Sequence, residues 1–209
     1  MDATYNFLKK FKLYDVCSDN DGRENLEYVH FINGYAYASD AHIIVRVPLS
    51  VCTSFGDDEY KKLNGYSIHF SLLKMLMQYE VVNIEDGVNL DENGETFHYV
   101  ELTASIGEND VKVVLRRYED KNKNVIQAPN FEEVIHQGRE NEVPVSSIGF
   151  RIKLLKTLAA AMGQEIIFLR FTKANGKIYV TPEDETIAGT IGIIMPVIRD
   201  VELPFDEQE

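Results

Sequence analysis

LEYVHFINGYAYAS, residues 26–39, is the stretch that decides the fold. β-Branched and aromatic residues fill LEYVHFI and YAYAS on either side of Asn33-Gly34, and both turn residues tolerate positive φ. Two such runs across an Asn-Gly pair predict a tight antiparallel hairpin. HIIVRVPL (42–49) predicts a further strand, closed by Pro48. Upstream, TYNFLKKFKLYDV (4–16) carries Phe7, Leu8, Phe11 and Tyr14 at helical spacing, so a helix is expected to lead into these three strands.

The same order recurs twice. YSIHF (66–70) reads as a strand, and Ser71 is placed to cap a helix over LLKMLMQYE (72–80). Strands are expected at VVNIE (81–85), HYVELTASI (98–106) and VKVVLRRY (111–118). SSIGF (146–150) then leads into a helix over RIKLLKTLAAAMG (151–163), with Gly163 as its C-cap. EIIFLRFT (165–172), KIYVTP (177–182) and GTIGIIMPVI (189–198) complete the third pass. The repeat lies in element order, since residue identity between the copies is slight. Three helix-plus-three-strand units predict an α+β chain of antiparallel sheets with helices on one face. The expected division is a two-unit domain over 1–125, a polar linker over 126–145 and a half-domain over 146–209.

No apolar run approaches the roughly 18 residues that a membrane helix needs, and the start lacks a signal-peptide pattern. Cys17 and Cys52 have no CxxC partners, which suggests reduced thiols in a cytoplasmic protein and no structural metal. The net charge of −13 argues against nonspecific nucleic-acid binding if taken as a sum. A partner feels the local field, however. Lys9, Lys10 and Lys12 fall in the first expected helix, and Arg151, Lys153 and Lys156 in the third. Lys74 in the middle helix is offset by Glu80. These cations either cover the solvent side of amphipathic helices or form a basic stripe facing the phosphates of duplex DNA.

Motifs for chemistry are missing. His42 lies near Asp40, but no Ser or Cys nucleophile with a recognisable elbow accompanies them. Asp19-Asn20-Asp21-Gly22 suggests a calcium loop, yet EF-hand spacing would put Cys17 first and Tyr28 last, and neither is a carboxylate. No glycine pattern matches a phosphate or dinucleotide loop. The expectation is a protein without enzymatic activity, cofactor or metal.

Three segments resemble signature stretches of the bacterial DNA sliding clamp, the β subunit of DNA polymerase III, and stand in that family's order. Ser39-Asp40-Ala41-His42-Ile43-Ile44 resembles the clamp's "TDGHRLA" turn. Ala128-Pro129-Asn130-Phe131-Glu132-Glu133-Val134-Ile135 resembles "FPDYRRVLP", which ends the clamp's middle domain. Ile193-Ile194-Met195-Pro196-Val197-Ile198, preceded by TPEDE (181–185), resembles the C-terminal "VVMPMRL" strand. The resemblance covers the clamp's middle domain and the second half of its third domain.

It implies the clamp fold and a hydrophobic pocket for short peptide motifs of replication and repair proteins. Ser39, Ala41, His42 and Ile44 would form one wall of that pocket. Pro129, Glu133 and Val134 would form a second, and Ile193, Met195, Pro196 and Val197 a third. It further implies sequence-independent binding of double-stranded DNA through the basic helices, by a homo-oligomer. The chain departs from the pattern where Ala41 replaces a Gly, Ile43 an Arg and Glu133 a basic residue. A non-encircling interaction module that binds the same replication proteins is the other reading.

Overall fold

The computed structural model describes residues 5–19, 22–106, 109–118, 124, 126–136, 150–172 and 176–195. They form an α+β fold with two antiparallel sheets. β1 (Tyr28–Ile32), β2 (Tyr35–Ser39) and β3 (Ile43–Pro48) make a meander, followed by the short helices α1 (Leu49–Cys52) and α2 (Asp57–Leu63). β4 (Tyr66–His69), α3 (Phe70–Leu76), β5 (Glu80–Leu90), β6 (Thr96–Ile106) and β7 (Asn109–Tyr118) come next. After α4 (Phe131–His136) and α5 (Ile152–Ala161), the chain continues through β8 (Ile167–Phe171), β9 (Ile178–Pro182) and β10 (Ile191–Ile194). One sheet has the order β4-β1-β2-β3-β10-β9-β8 and the other β5-β6-β7.

The Asn33-Gly34 turn has φ of 50° and 80°, the left-handed pair that lets β1 return directly as β2. Gly163 ends α5 at φ 64°, where its missing Cβ also admits the Lys10 carbonyl. The cap of α3 differs from expectation. The imidazole of His69 accepts from the Ser71 amide, and the Ser71 hydroxyl bonds that same ring. The expected strand at 146–150 lies outside the described residues, save Phe150.

The expected first helix is not formed. Only one 3-10 turn, Leu13–Asp15, occupies that stretch. Tyr5 exchanges two backbone hydrogen bonds with Val81 of β5, at 2.9 and 3.0 Å, and the Leu8 amide donates to the Cys52 carbonyl. An extended backbone cannot also be helical. These tertiary pairings outweigh the weak helix propensity of Tyr, Asn and Phe. Phe7 and Phe11 are buried nonetheless, as the spacing suggested.

Period-two alternation divides the large sheet into two faces. Ala36, Ala38, Val45, Val47, Ile178, Val180 and Ile194 share one face and join the main core. The turn at Leu13–Asp15 lies on that face between α3 and α5. Tyr37, Ile44, Ile191, Ile193 and Tyr179 point to the opposite face. There α4, inside the span read as linker, covers them.

His30 sits on that second face with Nδ1 2.8 Å from the Ser67 hydroxyl and Nε2 2.8 Å from the Asn25 carbonyl. Burial disfavours its imidazolium and, against the Asn25 carbonyl, lowers its pKa to about 4. The unfolded chain therefore binds this proton more tightly. The stabilising contribution of neutral His30 is complete above the ordinary value of 6.5 and is lost as pH falls toward 4. Denaturant titrations across that window should show stability falling by up to about 3 kcal/mol from this group, with a shallower pH slope in His30→Gln. An unchanged slope in the variant would assign the pH dependence elsewhere.

Candidate peptide-docking site

The second face of the large sheet brings segments far apart in the chain together. Ser39 pairs with Ile44, Ile44 with Ile193 and Ile193 with Tyr179, so one cross-strand row passes through β2, β3, β10 and β9. A parallel row runs from Tyr37 through Arg46 to Ile191. α4 lies across both rows.

The helix α4 has only six residues, too short to persist by propensity alone. Its first turn is held by Asn130, whose carbonyl oxygen accepts from the Glu133 amide and whose amide donates to the Glu133 carboxylate at 2.8 Å. Tertiary contacts do the rest. Phe131 stacks on Tyr37 with centroids 5.1 Å apart, and Ile135 is fully buried beside Tyr179. The Tyr179 hydroxyl donates to the Ile135 carbonyl at 3.0 Å, and Lys177 Nζ donates to the Val134 carbonyl at 2.8 Å.

Glu132 ties this helix to the sheet electrostatically. Its carboxylate accepts from the Tyr37 hydroxyl and from Arg46 Nη1, at 2.9 and 3.1 Å to the two oxygens, and lies 2.9 Å from His136 Nε2. Partial burial works to raise the Glu132 pKa, but the Tyr37 and Arg46 bonds outweigh it and hold it below the ordinary range. The same burial and carboxylate drive Tyr37 well above its ordinary value. Arg46 also donates through Nε to the Gly189 carbonyl at 3.1 Å and stacks over Tyr35. Helix, meander and the approach to β10 thus share one guanidinium.

The turn between β2 and β3 closes the site. Asp40 accepts from the amides of His42 and Ile43 at 2.8 and 2.9 Å, and the buried Ser39 hydroxyl donates to the Ile43 carbonyl. Ala41 is forced to φ 70°, the left-handed region that glycine enters without strain. The Met195 amide donates to the His42 carbonyl at 2.8 Å, so the end of β10 is bonded directly to this turn.

Ile44, Val134, Ile193 and Met195, each expected in the pocket, share one apolar cluster. Ser39 is buried and structural, Ala41 is half-buried and His42 is exposed at the adjoining turn. Pro129 is half-buried just before α4, and Glu133 is exposed on its outer side. Pro196 and Val197 lie outside the described residues. Phe131, Ile135, Tyr37, Tyr179, Arg46 and Glu132 were not foreseen. The i, i+4 spacing of Phe131 and Ile135 is the signal that marks α4.

The basic residues gather on the opposite face. Lys9, Lys10, Lys12, Lys74, Arg151, Lys153 and Lys156 are all exposed. The Lys12 amide donates to the Ala160 carbonyl at 3.1 Å, which lays the Lys9–Lys12 segment along the C-terminal end of α5. Lys74 Nζ stands 5.4 Å from the Tyr14 ring centroid, so α3 reaches the same segment from its other side. Lys9, Lys10 and Lys12 therefore share this layer without standing on a helix. Among the described residues, no three His, Cys, Asp or Glu side chains cluster to hold a metal, and no helix is long and apolar enough to cross a membrane.

No protein-family model matches this sequence, and no curated protein matches it.

Replacing Ala41 by Gly removes the left-handed strain and should raise unfolding free energy by about 1 kcal/mol. A denaturation midpoint that stays constant or falls would show that this turn carries no such strain.

Proposed function

We propose that the chain is a sliding-clamp-like protein without enzymatic activity, built on the clamp fold. It docks short peptide segments of replication or repair proteins at the corner formed by the β2–β3 turn, α4 and the end of β10. What supports this reading is the convergence of three segments far apart in the chain. His42, Val134, Ile193 and Met195 stand around one apolar cluster that an exposed turn borders. Apolar walls with a methionine at the rim suit an extended hydrophobic peptide, since the thioether repacks around different side chains. Glu133 at the outer side of α4 disfavours acidic peptides and suits neutral or basic ones.

The helix layer on the other face supports the second half of the proposal, duplex DNA held without sequence preference. Seven exposed cations share that layer in a chain of net charge −13, an asymmetry that concentrates the positive field where phosphates would lie. One observation favours a non-encircling interaction module instead. The first unit offers its three lysines on an irregular segment with a single 3-10 turn, which places them less regularly than a helix would.

Calorimetry with a clamp-binding peptide should give saturable binding that Met195→Ala weakens by about 1–3 kcal/mol, the range of one anchor contact. No binding across a panel of such peptides would defeat the docking proposal. Duplex binding followed by anisotropy should weaken with salt, and the Lys153→Glu, Lys156→Glu double variant should reduce the log–log slope by about 2. A chain that binds peptide but no duplex at low salt fits the interaction module.

A further inference from the structure

A carboxylate, an imidazole and a serine hydroxyl stand in a row where β4 meets α3. Tyr28 of β1 pairs with His69 of β4, which sets the imidazole beside Glu27, the last residue of the 3-10 turn Glu24–Glu27. His69 Nε2 is 3.4 Å from a Glu27 carboxylate oxygen. Ser71, the second residue of α3, turns its hydroxyl back to 2.7 Å from His69 Nδ1. Tyr28 meets the imidazole edge-on with centroids 5.2 Å apart, and the Phe70 ring lies 4.5 Å from it, so aromatic rings hold it from two sides.

The hydrogen bonds determine the tautomer. The Ser71 backbone amide can only donate, and it donates to Nδ1 at 3.3 Å, so that nitrogen carries no proton. The proton of the neutral ring is therefore on Nε2, facing Glu27, and the Ser71 hydroxyl donates to Nδ1. In this polarity a base can accept the hydroxyl proton while a carboxylate orients the base and stabilises the imidazolium that forms. His69 and Glu27 keep 28% and 29% of their side-chain surface, and Ser71 is exposed, so a small reagent can reach its oxygen. The neighbouring row offers a contrast. His30 Nδ1 also stands 2.8 Å from a hydroxyl, that of Ser67, but its Nε2 faces the Asn25 carbonyl and the ring is buried.

We infer that Ser71 is a covalent modification site, where the hydroxyl takes an acyl group from an activated ester with His69 as general base. The Ser71 oxygen forms a bond to the acyl carbon, and the bond from that carbon to the leaving oxygen breaks. The Ser71 proton passes to His69 Nδ1 and from there to the departing oxygen. Glu27 is a positioning residue that holds the ring through Nε2. The product is one ester per chain, a stoichiometric change and not turnover, so it is compatible with a docking protein that is not an enzyme. The inference rests on the geometry of Glu27, His69 and Ser71, and neither the peptide nor the DNA proposal enters it.

Incubation of the full chain with p-nitrophenyl acetate, followed by peptide mapping, tests it. An acetyl group should appear on Ser71 as a hydroxylamine-labile ester, distinct from the stable amides that lysines form, and none should appear on Ser67. Ser71→Ala should remove it. His69→Asn keeps an acceptor for the α3 cap but deletes the base, so circular dichroism should stay unchanged while labelling slows by about 100-fold. In the unaltered chain the rate should rise with pH as His69 loses its proton. Glu27→Gln should move the midpoint of that rise to lower pH, because the carboxylate favours the imidazolium. Tyr28, the other titratable side chain against the ring, has its pKa raised by burial and then by Glu27 and Glu24, so it keeps its proton through this rise. No ester on Ser71, a label on Ser67 in its place, an unchanged rate in His69→Asn, or an unmoved midpoint in Glu27→Gln would each overturn the inference.

Discussion

The antiparallel pairing of β3 with β10 is the contact on which the remaining architecture depends. It sets Ile44 against Ile193 and Ile43 against Ile194. Through it the meander of the first unit and that of the third become one sheet with two distinct faces. One face then receives α3, α5 and the lysine-bearing segment, and the other receives α4. Without this pairing, Ile193 and Met195 would have no fixed relation to the β2–β3 turn, and the candidate site would not exist.

Separating the faces also separates the chemistry. The cations are exposed over the helix-bearing face. On the opposite face, among the described residues, Arg46 and Glu132 pair with each other. Arg46, Glu132 and Tyr37 form one network that anchors a helix too short to hold itself. Arg46 is the more enclosed member and Glu132 keeps solvent access, so the network acts through geometry, with one carboxylate joining Tyr37 of β2 and Arg46 of β3 to α4. The apolar rows beside them are buried under α4, with Val134 and Met195 only partly buried at their margin.

Much of the fold was legible wherever local chemistry decides local geometry. Asn33-Gly34 specified its turn because both positions need positive φ, and Gly163 specified the end of α5 for the same reason. The helix expected over 4–16 failed because the spacing of Phe7, Leu8, Phe11 and Tyr14 records burial, not backbone conformation. Val81 and Cys52, distant in sequence, claimed the backbone hydrogen bonds of that segment. α2 was overlooked since DDEYKKL buries little beyond Leu63, and α4 was hidden in a stretch that reads as linker. Of the candidate site, the resemblance named Ile44, Val134, Ile193 and Met195, which share one apolar cluster. Its anchors Tyr37, Arg46 and Glu132 were not, because a cross-chain ion pair leaves no local pattern.

The account turns on whether the converging segments form a working peptide site. Amide chemical-shift mapping during titration with a clamp-binding peptide tests this most directly. Perturbations should concentrate at Ala41–Ile44, Glu133–Ile135 and Ile193–Met195, leaving the β5–β7 sheet unmoved. Perturbations spread elsewhere, or none at saturating peptide, would contradict it.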